Sequence, residues 1–164
     1  MRRRTFVAGL GGTTLAGLAG CLGDGTDAVN GHLEVGGVTV PLVSTTTAVS
    51  WYDEDETVYV DARSEAAFEE LRIDGAHLSP APDGLGADDP VGSVGRDERI
   101  VTYCVCPHTL AGQRAAALID DGYESVYALD EGLQSWVEHG APVAGTATAG
   151  SMGTPDVPEA RYHG

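Results

Sequence analysis

The sequence predicts an α/β fold, an open parallel sheet of about five strands with helices on both faces. Three observations lead there. Short runs rich in β-branched residues alternate with segments of helical spacing, and that alternation implies a parallel sheet covered on both sides. A hydrophobic content of 42% is enough for a real core. A length of 164 residues suits one domain with extensions, and no internal repeat is visible.

Taken in order, "VTVPLV" (38–43) reads as a short strand. Ser44 can cap a weak helix from about Thr45 to Tyr52. "TVYVDA" (57–62) alternates and is β-branched, a strand. Ser64 can cap the helix "EAAFEELR", with Glu65 in the first turn where the helix dipole favours it. Ala67, Phe68 and Leu71 form its apolar set. "AHLS" (76–79) is a short strand, and "PAPDGLGADDPVGSVGRDE" a long loop punctuated by proline and glycine. "RIVTYC" (99–104) is a buried strand. A helix follows from Thr109 or Leu110, with Leu110, Arg114 and Leu118 at helical spacing, and Gly122 ends it. "SVYAL" (125–129) is a strand and "EGLQSWVEHG" a helix, on which Trp136 belongs to the core.

Charge narrows the class of partner. Acidic residues number 25 and basic residues 9, a net charge of −16, and every basic residue is arginine. Such a surface repels phosphates, which excludes nucleic acid as a partner. An acid-rich chain without lysine suits very concentrated salt, where screening mutes self-repulsion, and points to a halophile of archaeal type. Three cysteines are too few for a disulfide framework.

The chain opens "MRRRTFVAGLGGTTLAGLAGC". A basic head, an uncharged run too short to span a membrane, and small residues before a break describe an export signal. Arg3-Arg4-Thr5-Phe6-Val7 resembles the twin-arginine motif, with Arg2 where Ser or Thr is usual. Leu18-Ala19-Gly20-Cys21 resembles a lipobox, in which the cysteine becomes the lipidated first residue. The expected organisation is therefore an export signal over 1–21, a polar tether over 22–37, a folded domain over 38–144 and a flexible tail over 145–164. The expected location is the extracytoplasmic face of the cell membrane, held by a lipid anchor at Cys21. Without the signal, six arginines face 25 acidic residues, a net charge of −19.

The chemistry concentrates in "YCVCPHTLAG". Cys104 stands at the carboxyl end of a strand, in the turn that leads into a helix. Ligands bind at this edge of open α/β sheets. Backbone N–H groups converge in such a turn, the helix adds its positive end, and a thiolate is the form they stabilise.

At this point the chain resembles the rhodanese-like domain family, over about residues 38–144. "VYVDARSEAAF" is similar to the family's strand–Asp–x–Arg–helix opening, and "RIDGAHLSP" to its Gly-Ala-His/Ile motif. "IVTYC" before a helix is similar to its active-site strand and loop. "EGLQSWVEHGAPV", through Gly132, Trp136, Gly140 and Pro142, is similar to its closing pattern. The resemblance implies a sulfurtransferase without cofactor or metal. Cys104 would carry sulfane sulfur as a persulfide between a small-molecule or protein donor and a thiol acceptor. Val105, Cys106, Pro107, His108, Thr109 and Leu110 would cradle that sulfur through backbone amides, and Asp61 with Arg63 would brace the strand end beneath it.

The loop departs from active thiosulfate sulfurtransferases, which often place Arg or Lys there. His108 is its one candidate cation, with Arg114 a helical turn later, so thiosulfate is expected to be a poor donor. Leu110 stands where phosphatase relatives of the fold carry the Arg of Cys-x5-Arg, which disfavours phosphoryl transfer. Cys106 is open between a spectator, a resolving thiol and a strained, easily reduced disulfide with Cys104. The alternative function is a non-catalytic module, a redox switch or metal site through Cys104 and Cys106, with His108 and His77 as further ligands.

Overall fold

The computed structural model of the protein describes residues 29–105 and 109–147. Its strands are β1 (Val29–Val35), β2 (Val38–Val43), β3 (Thr57–Asp61), β4 (Arg72–Ile73), β5 (His77–Leu78), β6 (Arg99–Tyr103), β7 (Ser125–Leu129) and β8 (Val143–Ala144). Its helices are α1 (Thr45–Asp53), α2 (Glu65–Glu70), α3 (Thr109–Asp120) and α4 (Gly132–Glu138). The main sheet runs β1-β2-β7-β6-β3-β5, and β4 pairs with β8 in a small second sheet. All neighbours in the main sheet are parallel except β1 and β2. The predicted parallel α/β sheet is present, with one antiparallel strand added at its edge.

That strand corrects the sequence reading. Residues 22–37 were expected to be a tether, yet Val29–Val35 form β1 and pair with β2. Gly36 and Gly37 both have positive φ (59° and 88°), the conformation of a two-residue hairpin turn that L side chains resist. The sequence "VNGHLEV" alternates between half-buried and exposed positions, so Leu33 and Val35 pack inward while His32 and Glu34 face solvent. The expected flexible tail over 145–164 is likewise held at its start. The Thr146 and Ala147 amides donate to the carbonyls of Glu69 and Glu70 at 3.0 and 2.8 Å. The remainder of that tail lies outside the described residues, as does the whole export signal with Cys21.

Successive residues of a strand point to opposite faces of a sheet, and two cores result. On one face α3 packs Ala111, Ala115 and Leu118 over Val40, Val60, Ile100 and Val126. On the other, α1 and α4 pack Ala48, Trp51, Leu133 and Trp136 over Val43, Tyr59, Val101 and Leu129. Trp136 is fully buried, its ring centroid 5.3 Å from that of Tyr59 and 5.5 Å from that of Tyr52. Ser44 caps α1, accepting from the Thr47 amide at 3.2 Å, and Ser64 caps α2, accepting from the Ala67 amide at 3.4 Å. Leu71, expected on α2, is instead extended beyond its end and buried. Among the described residues no helix is long and apolar enough to cross a membrane.

Arg114, noted in the sequence as a cation near the loop, is 5% exposed and turned away from it. Its Nε donates to Ser79 Oγ at 2.8 Å and its Nη1 to the Pro82 carbonyl at 3.0 Å, and its Nη2 lies 3.5 Å from Asp89 Oδ2. Asp89 also accepts from Ser79 Oγ at 2.6 Å and from the Leu85 and Val91 amides. The long loop between β5 and β6 is thus held to α3 by one buried ion pair whose remaining valences are met by hydroxyl and backbone. Removing one partner of such a pair leaves the other charge buried alone. Arg114→Met is expected to lower the unfolding free energy by about 3 kcal/mol, read by denaturant titration at fixed salt.

Candidate active site

Cys104 directly follows β6 and is buried, 3% exposed as a residue. Strand β6 lies between β7 and β3 in the interior of the sheet, so the carboxyl end that presents Cys104 is fixed from both sides. Thr102 Oγ1, also buried, donates to the Ala111 carbonyl at 2.8 Å and ties β6 to the first turn of α3. A cavity of about 270 Å3 opens at this end of the sheet, lined by Cys104, Arg63, Val105, Thr109 and Leu110. The positive end of the 12-residue helix α3 therefore borders the same space as the thiol.

Beneath the cysteine, Asp61 ends β3 and is fully buried. Its carboxylate accepts from the Arg63 amide at 3.0 Å, from Arg63 Nε at 2.9 Å and from Arg63 Nη2 at 2.6 Å. Two oxygens facing two guanidinium nitrogens form the bidentate geometry in which an ion pair can offset its own desolvation. Arg63 Nη2 also donates to the Leu71 carbonyl at 2.5 Å. The guanidinium sits 5.9 Å from the centroid of the Tyr103 ring, whose hydroxyl accepts from the Ile73 amide at 3.1 Å. Burial opposes the charge on Arg63, but the Asp61 carboxylate outweighs it and keeps the guanidinium more firmly protonated than usual. Burial, and then the same carboxylate, push the Tyr103 phenol well above its ordinary range.

A second support was not foreseen in its role. The Leu133 amide donates to the Cys104 carbonyl at 2.8 Å. Gly132 has φ +77°, and a Cβ built there would lie 2.5 Å from the Val105 carbonyl oxygen and 3.0 Å from that of Cys104. Only glycine lets the start of α4 come this close to the backbone of the cysteine turn. The sequence held one signal, a glycine rather than Ser, Thr or Asp where the helix begins.

Of the other residues singled out from the sequence, Val105, Thr109 and Leu110 line the cavity, while Cys106, Pro107 and His108 lie outside the described residues. His77 is exposed on β5, with β3 between it and β6. His32 and His139 are exposed, and His139 Nδ1 lies 2.8 Å from the Ser135 carbonyl. Among the described residues no group of three His, Cys, Asp or Glu side chains could hold a metal ion.

Comparison with known proteins follows the same lines. The profile of the rhodanese-like domain matches residues 44–139. No curated protein matches the sequence. Among solved structures, the rhodanese-like domain of a protein from Anabaena sp. superposes with a TM-score of 0.57 at 23% identity, over 70% of this chain and 83% of that one. A protein of unknown function from Rhodopseudomonas palustris, described as a possible tyrosine phosphatase, gives 0.52 at 20% identity, over 62% and 82%. A thiosulfate sulfurtransferase from Pseudomonas aeruginosa gives 0.52 at 18% identity, over 66% of this chain and 21% of that one. At these identities the superpositions establish a shared fold.

The close approach at Gly132 makes a prediction with its own control. Gly132→Ala is expected to cost about 2–3 kcal/mol of stability and to change the alkylation rate of Cys104 several-fold. Gly140 has φ +69° but nothing within 4 Å of a built Cβ. Gly140→Ala should therefore cost about 1 kcal/mol, the backbone term alone, and leave the alkylation rate as it was. Denaturant titration and mass-spectrometric alkylation read the two effects.

Proposed function

The chain belongs to the rhodanese-like domain family, and on that premise we propose that it transfers sulfane sulfur through a persulfide on Cys104, outside the cytoplasmic membrane. The observation that carries the proposal is the placement of Cys104. One nucleophile-bearing residue directly follows a central strand, at the wall of an open cavity, beside the first turn of α3. In the reaction the Cys104 thiolate attacks the outer sulfur of a persulfide donor. The Sγ–S bond forms as the donor's own S–S bond breaks, and the donor leaves as a thiolate. An acceptor thiolate then attacks the outer sulfur of the enzyme persulfide and Cys104 leaves as thiolate, so no oxidant is consumed.

Cys104→Ser is expected to abolish transfer and the persulfide mass shift while circular dichroism is unchanged. Retention of transfer by Cys104→Ser, with loss in Cys106→Ser, would move the nucleophile to Cys106.

Arg63 changes one part of the sequence reading, in which only His108 could serve an anionic donor. A guanidinium does line the cavity, but its charge is matched by Asp61. Thiosulfate is a dianion meeting a neutral pair on a strongly acidic protein. It is expected to be used less efficiently than a low-molecular-weight persulfide. Thr109→Arg, at the cavity wall, should raise kcat/KM for thiosulfate about tenfold, read by steady-state kinetics with both donors at fixed high salt.

Phosphoryl transfer is the second reading. It is disfavoured because Leu110 holds the position of the phosphate-binding arginine and the Arg63 fork is already engaged by Asp61.

The location is carried by the sequence alone, through the basic head, the short apolar run and Cys21, and the halophilic setting by the acidic, lysine-free composition. The protein should fractionate with membranes, and Cys21→Ser should release or misprocess it. Recovery of the unaltered protein from the soluble cytoplasm would overturn the export proposal.

A further inference from the structure

Among the described residues the exposed large apolar side chains are Leu85, Val105 and Leu110, at 44%, 41% and 37%. Val105 and Leu110 flank the cavity that holds Cys104. Isolated exposed apolar side chains need no explanation. Here two of the three border one reactive thiol, on a chain whose surface is otherwise dominated by carboxylates. The cavity, about 270 Å3, falls just below the roughly 300 Å3 at which pockets for drug-sized ligands begin. It has room for more than a small inorganic anion. Its charged member is Arg63, whose Nε and Nη2 donate to Asp61 and Leu71, and the Thr109 hydroxyl is its neutral polar group. The space is therefore two-ended, with a thiol and the edge of a guanidinium on the inside and hydrocarbon at the mouth.

We propose that the cavity selects organic sulfane-sulfur donors carrying a short hydrocarbon body that lies against Val105 and Leu110. The inference rests on the sulfur-transfer reading and adds the class of donor. With an alkanethiosulfonate, the Cys104 thiolate attacks the sulfane sulfur. The new S–S bond forms while the bond between sulfane and sulfonyl sulfur breaks, and an alkanesulfinate leaves with the electron pair. Charge and electrons balance without a further reactant.

A homologous series isolates the apolar contribution, because methane-, ethane- and butanethiosulfonate share one anionic head. Each methylene is worth about twofold if half withdrawn from water and about fourfold if fully withdrawn. With the full-length protein at fixed high salt, kcat/KM should rise about tenfold from the methane to the butane compound. In the double variant Val105→Ser, Leu110→Ser the same ratio should fall to about twofold or less, whatever the absolute rates. A flat series in the unmodified protein, or an unchanged ratio in the double variant, overturns the inference. A second measurement does not depend on turnover. Methane- and butanesulfonate, which carry no transferable sulfur, are tested for protection of Cys104 from a neutral alkylating reagent in Cys106→Ser, with the modified peptide identified by mass. Stronger protection by the longer sulfonate supports the inference even if no donor is turned over, an outcome that would overturn sulfur transfer alone. Equal protection by both overturns the donor class and leaves sulfur transfer standing.

Discussion

The site is organised around one buried ion pair. Asp61 has no contact with water, and a carboxylate in that position is tolerable only with its charge matched and its oxygens hydrogen-bonded. Arg63 does both from two residues away, and this local pairing has distant effects. It turns the chain sharply at the end of β3, grips the Leu71 carbonyl just beyond α2, and brings a guanidinium near Tyr103, the residue before the cysteine. Tyr103 in turn holds the Ile73 amide at the start of the small second sheet. The carboxyl ends of β3 and β6, the exit of α2 and the floor under Cys104 are therefore one polar unit inside an apolar surround. Replacing Asp61 or Arg63 singly would strand a charge; such units resist piecemeal change more than their modest net contribution to stability suggests.

The reactive turn is held from a second direction by backbone alone. From the first turn of α4, the Leu133 amide reaches the Cys104 carbonyl, and Gly132 fits where no other residue would. The thiol is thus positioned between a charged support from β3 and a neutral one from α4, while α3 closes the cavity from the other face of the sheet. This division leaves the cavity wall itself free to be apolar. Val105 and Leu110 are not needed to hold the turn, so they are available to contact what enters.

Most of this was legible in the sequence where the signal was local. Strand runs such as "RIVTY", the Ser44 and Ser64 caps, and the strand–cysteine–helix order depend on neighbours in the chain, and the structure has them within a residue or two. The Asp61 and Arg63 positions were legible only through resemblance, since two residues of spacing do not say that both are buried. What the sequence reading missed is instructive. Residues 29–35 looked like a tether because glycine and polar residues dominate the count, yet their alternation and the Gly36-Gly37 pair carry the signature of a hairpin. Composition was weighed where period should have been. Arg114 was read as a candidate cation for the loop. Its helical position was right and its direction was not, because its partners Ser79, Pro82 and Asp89 come from a loop whose path no local pattern encodes. The role of Gly132 depends on a contact between residues 27 positions apart, which spacing along the chain cannot show.

The hairpin at the sheet edge bears on what counts as the unit that folds. The family match begins at residue 44, after both β1 and β2. But β2 pairs with β7 and contributes Val40 and Val43, both fully buried, one to each core. Strand β1 in turn packs so closely on α3 that a Cβ on Gly112 would fall 2.5 Å from Leu33 Cδ2. A fragment cut at the family boundary would open both cores along one side and leave β7 as a raw edge, ready to pair with another chain. The stretch that the family profile matches and the stretch that can stand alone in water are therefore different lengths of the same polypeptide, and the difference is a hairpin that the profile boundary would discard.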